Sequence, residues 1–372
     1  MPNASTHSFP YENKKSFVLL HIIRYVFLVL ILLTLMDLCI KDTPPDYVYG
    51  TINSSTISNT AFVALAVLLL VVLSFFYSSV QKRFHLTRRS AYRFLFAGFS
   101  VLLGLQIFLA KQIYFISDWD IGMVQTAALE IAKTGIQRLF SGYFQMYPNN
   151  ILLTLLLSGV MKVSLALQVD PYFGCIIINI LLVDLAGILS IRCVRQMTKS
   201  YVAMIGCFLL FAALIGLSAW IVIPYSDTVP MFTPVLAFSL YLDTRNGNRL
   251  FLKWAGIVCV SVFGALIKPT CIIALIAIFI LNLFSALRSK PPHPLKSTLM
   301  PLGILISVLL LFLGTYQAAV RITGKSINPD SSLPYTHFLM MGLNPVTYGT
   351  FAPVDAEITL SAKTSGNRKI GI

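Results

Sequence analysis

The feature that most constrains this chain is a series of apolar runs about 20 residues long, the length a helix needs to cross the hydrocarbon core. The first three are Phe17–Ile40, Thr60–Val80 and Phe94–Ile116. Further runs follow at Ile151–Leu167, Tyr172–Ile191, Val202–Ile223, Val229–Leu242, Trp254–Leu287 and Pro301–Val320. A segment in lipid must satisfy its own backbone, so runs of this kind fold as helices. The expected fold is all-α: a polytopic transmembrane bundle of about ten segments.

Composition excludes the competing classes. Of 372 residues, 57% are hydrophobic and only 11% charged, against about 25% charged in a soluble domain. The net charge of +14 would suggest a nucleic-acid partner in a soluble protein. Here the basic residues lie between apolar runs, so they read as loops held on the cytoplasmic side, and nucleic acid is excluded. The cysteines Cys39, Cys175, Cys193, Cys207, Cys259 and Cys271 form no CxxC pair and lie in or beside apolar runs, as buried thiols do. The run Phe17–Ile40 is too long for the core of a cleaved signal.

Charges set the orientation. Lys14 and Lys15 precede the first run, and Lys82, Arg83, Arg88, Arg89 and Arg93 fill the link between the second and third. Both groups read as cytoplasmic, which puts the N-terminus inside and the segment after Ile116 outside. Lys268-Pro269 interrupts the run Trp254–Leu287. A lysine at mid-membrane is costly, and proline disfavours helix before it, so this run splits into two short helices meeting at the outer surface. One conflict remains. Asn150 reads as outside and Arg192, Arg195 and Lys199 as inside, yet two apolar runs separate them. Either one run does not cross, or this basic group faces outward.

The mixed segment 117–150 carries Val124, Ala128, Ile131 and Ala132 at helical spacing. It reads as an amphipathic helix in an interfacial outer loop. The organisation expected is a membrane domain over 1–320, with its outer catalytic loop at 117–150, and an extracytoplasmic tail over 321–372. No GxGxxG, Walker A, HExxH or GxSxG occurs, so a soluble-nucleotide loop is unsupported.

The candidate chemistry lies in outer segments. Asp118 and Asp120 flank Trp119. They suit a general base or a divalent-cation site, and equally solvated acids ending a helix. Asp227 follows a break in an apolar run and either caps the next helix or lines a cavity. Lys268 is either an anion site for a lipid phosphate or a snorkelling anchor. Asp184, inside an apolar run, reads as an interhelical hydrogen bond with no partner named. His337 lies in the tail, where a lone histidine is more often structural.

These residues sit in segments that resemble the GT-C class of integral-membrane glycosyltransferases, and within it the Gram-positive, mannosyltransferase-like members. The segments are Asp118-Trp119-Asp120-Ile121-Gly122, Tyr143-Phe144-Gln145-Met146-Tyr147-Pro148-Asn149-Asn150, Pro224-Tyr225-Ser226-Asp227-Thr228, Ile267-Lys268-Pro269-Thr270 and His337-Phe338-Leu339-Met340-Met341-Gly342-Leu343-Asn344. The resemblance implies a multi-pass cell-membrane enzyme. It would move a sugar, with inversion, from a polyprenyl-phosphate donor to an extracytoplasmic glycan or protein. It also implies Asp120 as base with Asp118 second, Lys268 on the phosphate, and Asp227, His337, Tyr147 and Asn149 as further substrate contacts. No cofactor is implied with certainty, and a divalent cation stays open. Many members carry paired Asp-Glu acids, which this chain lacks, and usually continue beyond the point where it ends near Arg368–Ile372. A truncated product is therefore one expectation. The alternative function is a transporter or flippase of lipid-linked saccharides.

Overall fold

The computed structural model divides the chain into two units, Met1–His85 and Leu86–Ile372. It describes residues 86–117, 119–135, 143–244, 249–289, 294–323, 333–344 and 352–364, and eight isolated helical positions before residue 86. The runs Phe17–Ile40 and Thr60–Val80, Cys39 and Asp118 lie outside the described residues, apart from those isolated positions. Every secondary-structure element among the described residues of the second unit is a helix.

α1 (Arg88–Ile113) starts at Thr87, whose side chain accepts from the Ser90 amide. α2 (Asp120–Thr134) and the single turn α3 (Tyr143–Met146) lead into α4 (Asn150–Ala166). α5 (Pro171–Thr198) has strong stop signals: Asp170 caps its start, Pro171 occupies the first position, and Lys199 ends it in the left-handed conformation at φ 57°. α1, α5 and α8 (Leu250–Ile267) are, among the described residues, the helices long and apolar enough to cross a membrane. Their outer faces carry large bare apolar groups such as Phe96, Val101 and Phe108, a surface suited to lipid.

The run Val202–Ile223 is not one helix. α6 (Tyr201–Phe211) passes into a π-helical turn, Ala212–Gly216, and then a 3₁₀ turn, Ala219–Val222. Such a break frees backbone groups that lipid cannot satisfy. Two buried amides meet this need: Gln106 Nε2 donates to the Gly216 carbonyl at 3.0 Å, and Asn179 Nδ2 to the Ile221 carbonyl at 2.9 Å. Gln106 also donates to Asp184 Oδ1 at 2.9 Å. Asp184 thus makes the interhelical hydrogen bond expected of it, with α1 as partner.

α7 (Phe232–Thr244), α8 and α9 (Ile272–Ser289) pack together, with α10 (Pro294–Thr323) against α8. Trp254 and Phe279 stack here at 5.8 Å between ring centres. α8 ends at Ile267, and the 3₁₀ turn Pro269–Cys271 separates it from α9, as the Lys268-Pro269 pair predicts. Two short helices, α11 (Tyr335–Leu343) and α12 (Pro353–Thr364), follow.

Leu153, Leu157 and Met161 share a core with Cys175 near the start of α5, Ile267 at the end of α8, and Val229 just before α7. α4 packs against α5, and α2 packs on α4. At the opposite end, Arg192 and Gln196 of α5 both hold Asp243 of α7, and Lys253 of α8 donates to the Asp243 carbonyl. The basic ends of α5 and α8 thus come together there.

Candidate functional site

The site lies at the end covered by α2 and α4, and its first element is the start of α2. Ser117 Oγ accepts from the Trp119 amide at 3.0 Å, and Trp119 caps the helix. Asp120 is the first residue, where an acidic side chain suits the helix dipole. Gly122 lets the incoming chain fold back over this turn: a Cβ there would lie 1.8 Å from the Ser117 carbonyl oxygen. No other residue fits that approach without moving the backbone beside Asp120.

The Asp120 carboxylate joins a polar chain from three other elements. Tyr225 donates its hydroxyl to Asp120 Oδ2 at 3.3 Å. Asn150, fully buried at the start of α4, donates to Tyr225 at 3.2 Å and to Tyr143 at 2.7 Å. Asn149 donates in turn to Asn150 Oδ1 at 3.3 Å. Tyr147 packs on Tyr143 with tilted rings whose centres are 4.9 Å apart. Burial raises the hydroxyl pKa of Tyr143, Tyr147 and Tyr225 above the ordinary tyrosine value, and the nearby Asp120 charge raises each further. These phenols stay protonated, and Tyr225 keeps its proton for the bond to Asp120.

Two residues beyond Tyr225, Asp227 forms an ion pair with Lys268. Both are partly exposed. Lys268 is therefore not the free ammonium that the sequence suggests; it carries a counter-ion that any incoming anion must replace. The pair holds the 224–231 segment to the break between α8 and α9. Asp227, Thr228 and Met231 also line a crevice of about 360 Å³, whose walls are Val183, Ile215, Trp220 and other apolar groups. Trp220 and Leu214 are widely exposed along it.

The structure thus brings Asp120, Tyr147 and Asn149 into one neighbourhood and joins Asp227 to Lys268. The Pro224–Thr228 segment links the two through Tyr225 and Asp227. His337 belongs elsewhere: it is buried in the tail, with Nδ1 2.9 Å from Thr359 Oγ1. The tail meets the site region through the backbone, the Leu333 amide donating to the Met146 carbonyl at 3.2 Å. Tyr143, Asn150 and Tyr225 were missed as site residues, although each stands in a segment singled out above. Their signal is a buried amide and phenols in otherwise apolar surroundings. Among the described residues, no three of His, Cys, Asp and Glu gather as metal ligands, and the five described cysteines are free thiols.

A family model described as "Conserved hypothetical integral membrane protein" matches residues 14–369. The chain belongs to this family. It is an integral membrane protein, and α1, α5 and α8 have the length and apolar character to cross a bilayer. No curated protein and no solved structure matches the chain.

Proposed function

We propose that this protein is a membrane glycosyltransferase that moves a sugar from a polyprenyl-phosphate carrier to an acceptor hydroxyl at the end where α2 and α4 lie. One observation carries the reading: Asp227, which pairs with Lys268, lines an apolar crevice, and Tyr225 of the same loop holds the Asp120 carboxylate. An amphiphilic donor fits such a slot, with its chain along the apolar walls and its phosphate at the ammonium.

In this mechanism the acceptor oxygen attacks the anomeric carbon as Asp120 takes its proton. The bond from that carbon to the phosphate oxygen breaks, and the configuration inverts. The lipid phosphate leaves with the electron pair, and Lys268 offsets its charge in place of Asp227. Tyr225 and Asn150 hold the carboxylate in position. Asp118, beside it in sequence, is the second candidate base. A divalent cation is not needed for this proton inventory. The basic end faces the cytoplasm of a cell membrane, with about ten segments crossing in all.

The test uses membranes containing the full chain, supplied with radiolabelled sugars on polyprenyl phosphate. The reading expects new glycosidic bonds together with release of polyprenyl phosphate. Movement of intact lipid-linked sugar across reconstituted vesicles, with no new bond, would replace it with a flippase.

A further inference from the structure

A second crevice, of about 440 Å³, opens at the opposite, basic end between α1, α5 and α6. Its walls are apolar, with Leu95, Phe96, Phe99, Ile188 and Met204, and its rim carries Arg192 and Arg195. The two arginines are not equivalent. Arg192 is neutralised by Asp243. Arg195 lies over the Tyr201 ring at 4.3 Å and donates one nitrogen to the Tyr201 hydroxyl at 3.1 Å. Its other terminal nitrogen, Nη1, is buried and has no hydrogen-bond partner. Among the described residues no carboxylate pairs with Arg195. A third cation stands close by: Arg88 lies 5.8 Å from the ring centre of Tyr92, which lines the same crevice.

Arg195 lines the crevice and keeps its charge, because among the described residues no carboxylate neutralises it, so an anion brought to the crevice would gain a strong partner. The surroundings define that ligand. It must be anionic, to meet Arg195 and Arg88. It must also carry a hydrocarbon chain, to cover Phe96 and the walls beside it, which face lipid. A guanidinium makes strong charge-assisted hydrogen bonds to phosphate oxygens. The geometry points to a binding site for an anionic phospholipid from the leaflet at the basic end, its phosphodiester on Arg195 and one acyl chain in the crevice. The site is separate from Asp120 and Lys268 and does not depend on the transferase reading. Basic pockets between membrane helices recognise lipid head groups by the same physics.

Native mass spectrometry of the full chain, purified in detergent, tests this with dioleoyl phosphatidylglycerol, dioleoyl phosphatidylcholine and inorganic phosphate as probes. The wild-type chain is expected to retain one phosphatidylglycerol in preference to phosphatidylcholine, and inorganic phosphate should not displace it. Arg195→Gln should weaken retention about fivefold, the change expected for one basic residue facing an anionic lipid. Arg88→Gln alters only an exposed rim residue and should weaken it by less, which guards against a folding defect in the first variant. Equal retention of phosphatidylcholine would overturn the proposal. So would displacement by inorganic phosphate, or wild-type retention in both variants.

Discussion

The Tyr225 hydroxyl lies 3.3 Å from Asp120 Oδ2 and joins two segments 105 positions apart in the chain. Asn150 stands behind Tyr225 as a buried donor, so the carboxylate is placed by residues that are themselves fixed. Tyr225→Phe keeps the ring and its packing but removes the donor. Its expected effect is a fall in transfer rate with little change in thermal stability, because the lost bond is long and Asp120 is exposed. Asn150→Ala should behave differently. It removes a buried amide that bonds two phenols, and a loss of about 1–3 kcal/mol is expected. Denaturation of both variants in matched detergent separates the two effects.

The ion pair Asp227–Lys268 makes the opposite prediction about stability. Both partners are partly exposed, and such pairs contribute about 0–1 kcal/mol. Lys268→Met should leave the unfolding midpoint almost unchanged and abolish transfer. A large drop in stability with normal activity would make the lysine a structural anchor only.

The three tyrosines near Asp120 predict a pH dependence. Their folded pKa values are raised above the unfolded value of 10.0. A raised folded pKa gives stability that is fully present below pH 10 and lost as pH rises beyond it, because the unfolded chain ionises first. Absorbance of phenolate at 295 nm gives the direct check. Replacing Tyr143, Tyr147 or Tyr225 with Phe should not reduce the signal that develops near pH 10.

Gly122→Ala tests the turn that sets Asp120. The added methyl would meet the Ser117 carbonyl at 1.8 Å. The backbone at the start of α2 must shift, and overpacking of this kind costs about 1–3 kcal/mol. Activity should fall with it. Gly159, which has open space around the same position, is the control, and Gly159→Ala should fold normally.

Much of the helical order is legible in the sequence because hydrophobic length and Pro, Gly and charge punctuation are local signals. The break at Lys268-Pro269, the cap at Asp170-Pro171 and the apolar face of α2 follow from neighbours in the chain. What the sequence does not show is relative placement. α4 is as apolar as a spanning helix, and the residues that share its core come from α5, α8 and the loop before α7. The break in 202–223 also depends on distant partners, Gln106 and Asn179. The same limit applies to the site: the acids and the lysine stand out as charges in an apolar chain, whereas Asn150 and Tyr225 gain their roles only from what they touch. Lys268 stands out in the sequence without its counter-ion Asp227, which lies 41 positions earlier.

The central claim is that Asp120 removes the acceptor proton during sugar transfer. The most direct measurement compares Asp120→Asn with the wild-type chain for release of polyprenyl phosphate and formation of the glycosidic bond, at equal amounts of correctly inserted protein. The account predicts that insertion and stability are preserved and transfer is abolished. Full transfer by Asp120→Asn would contradict it.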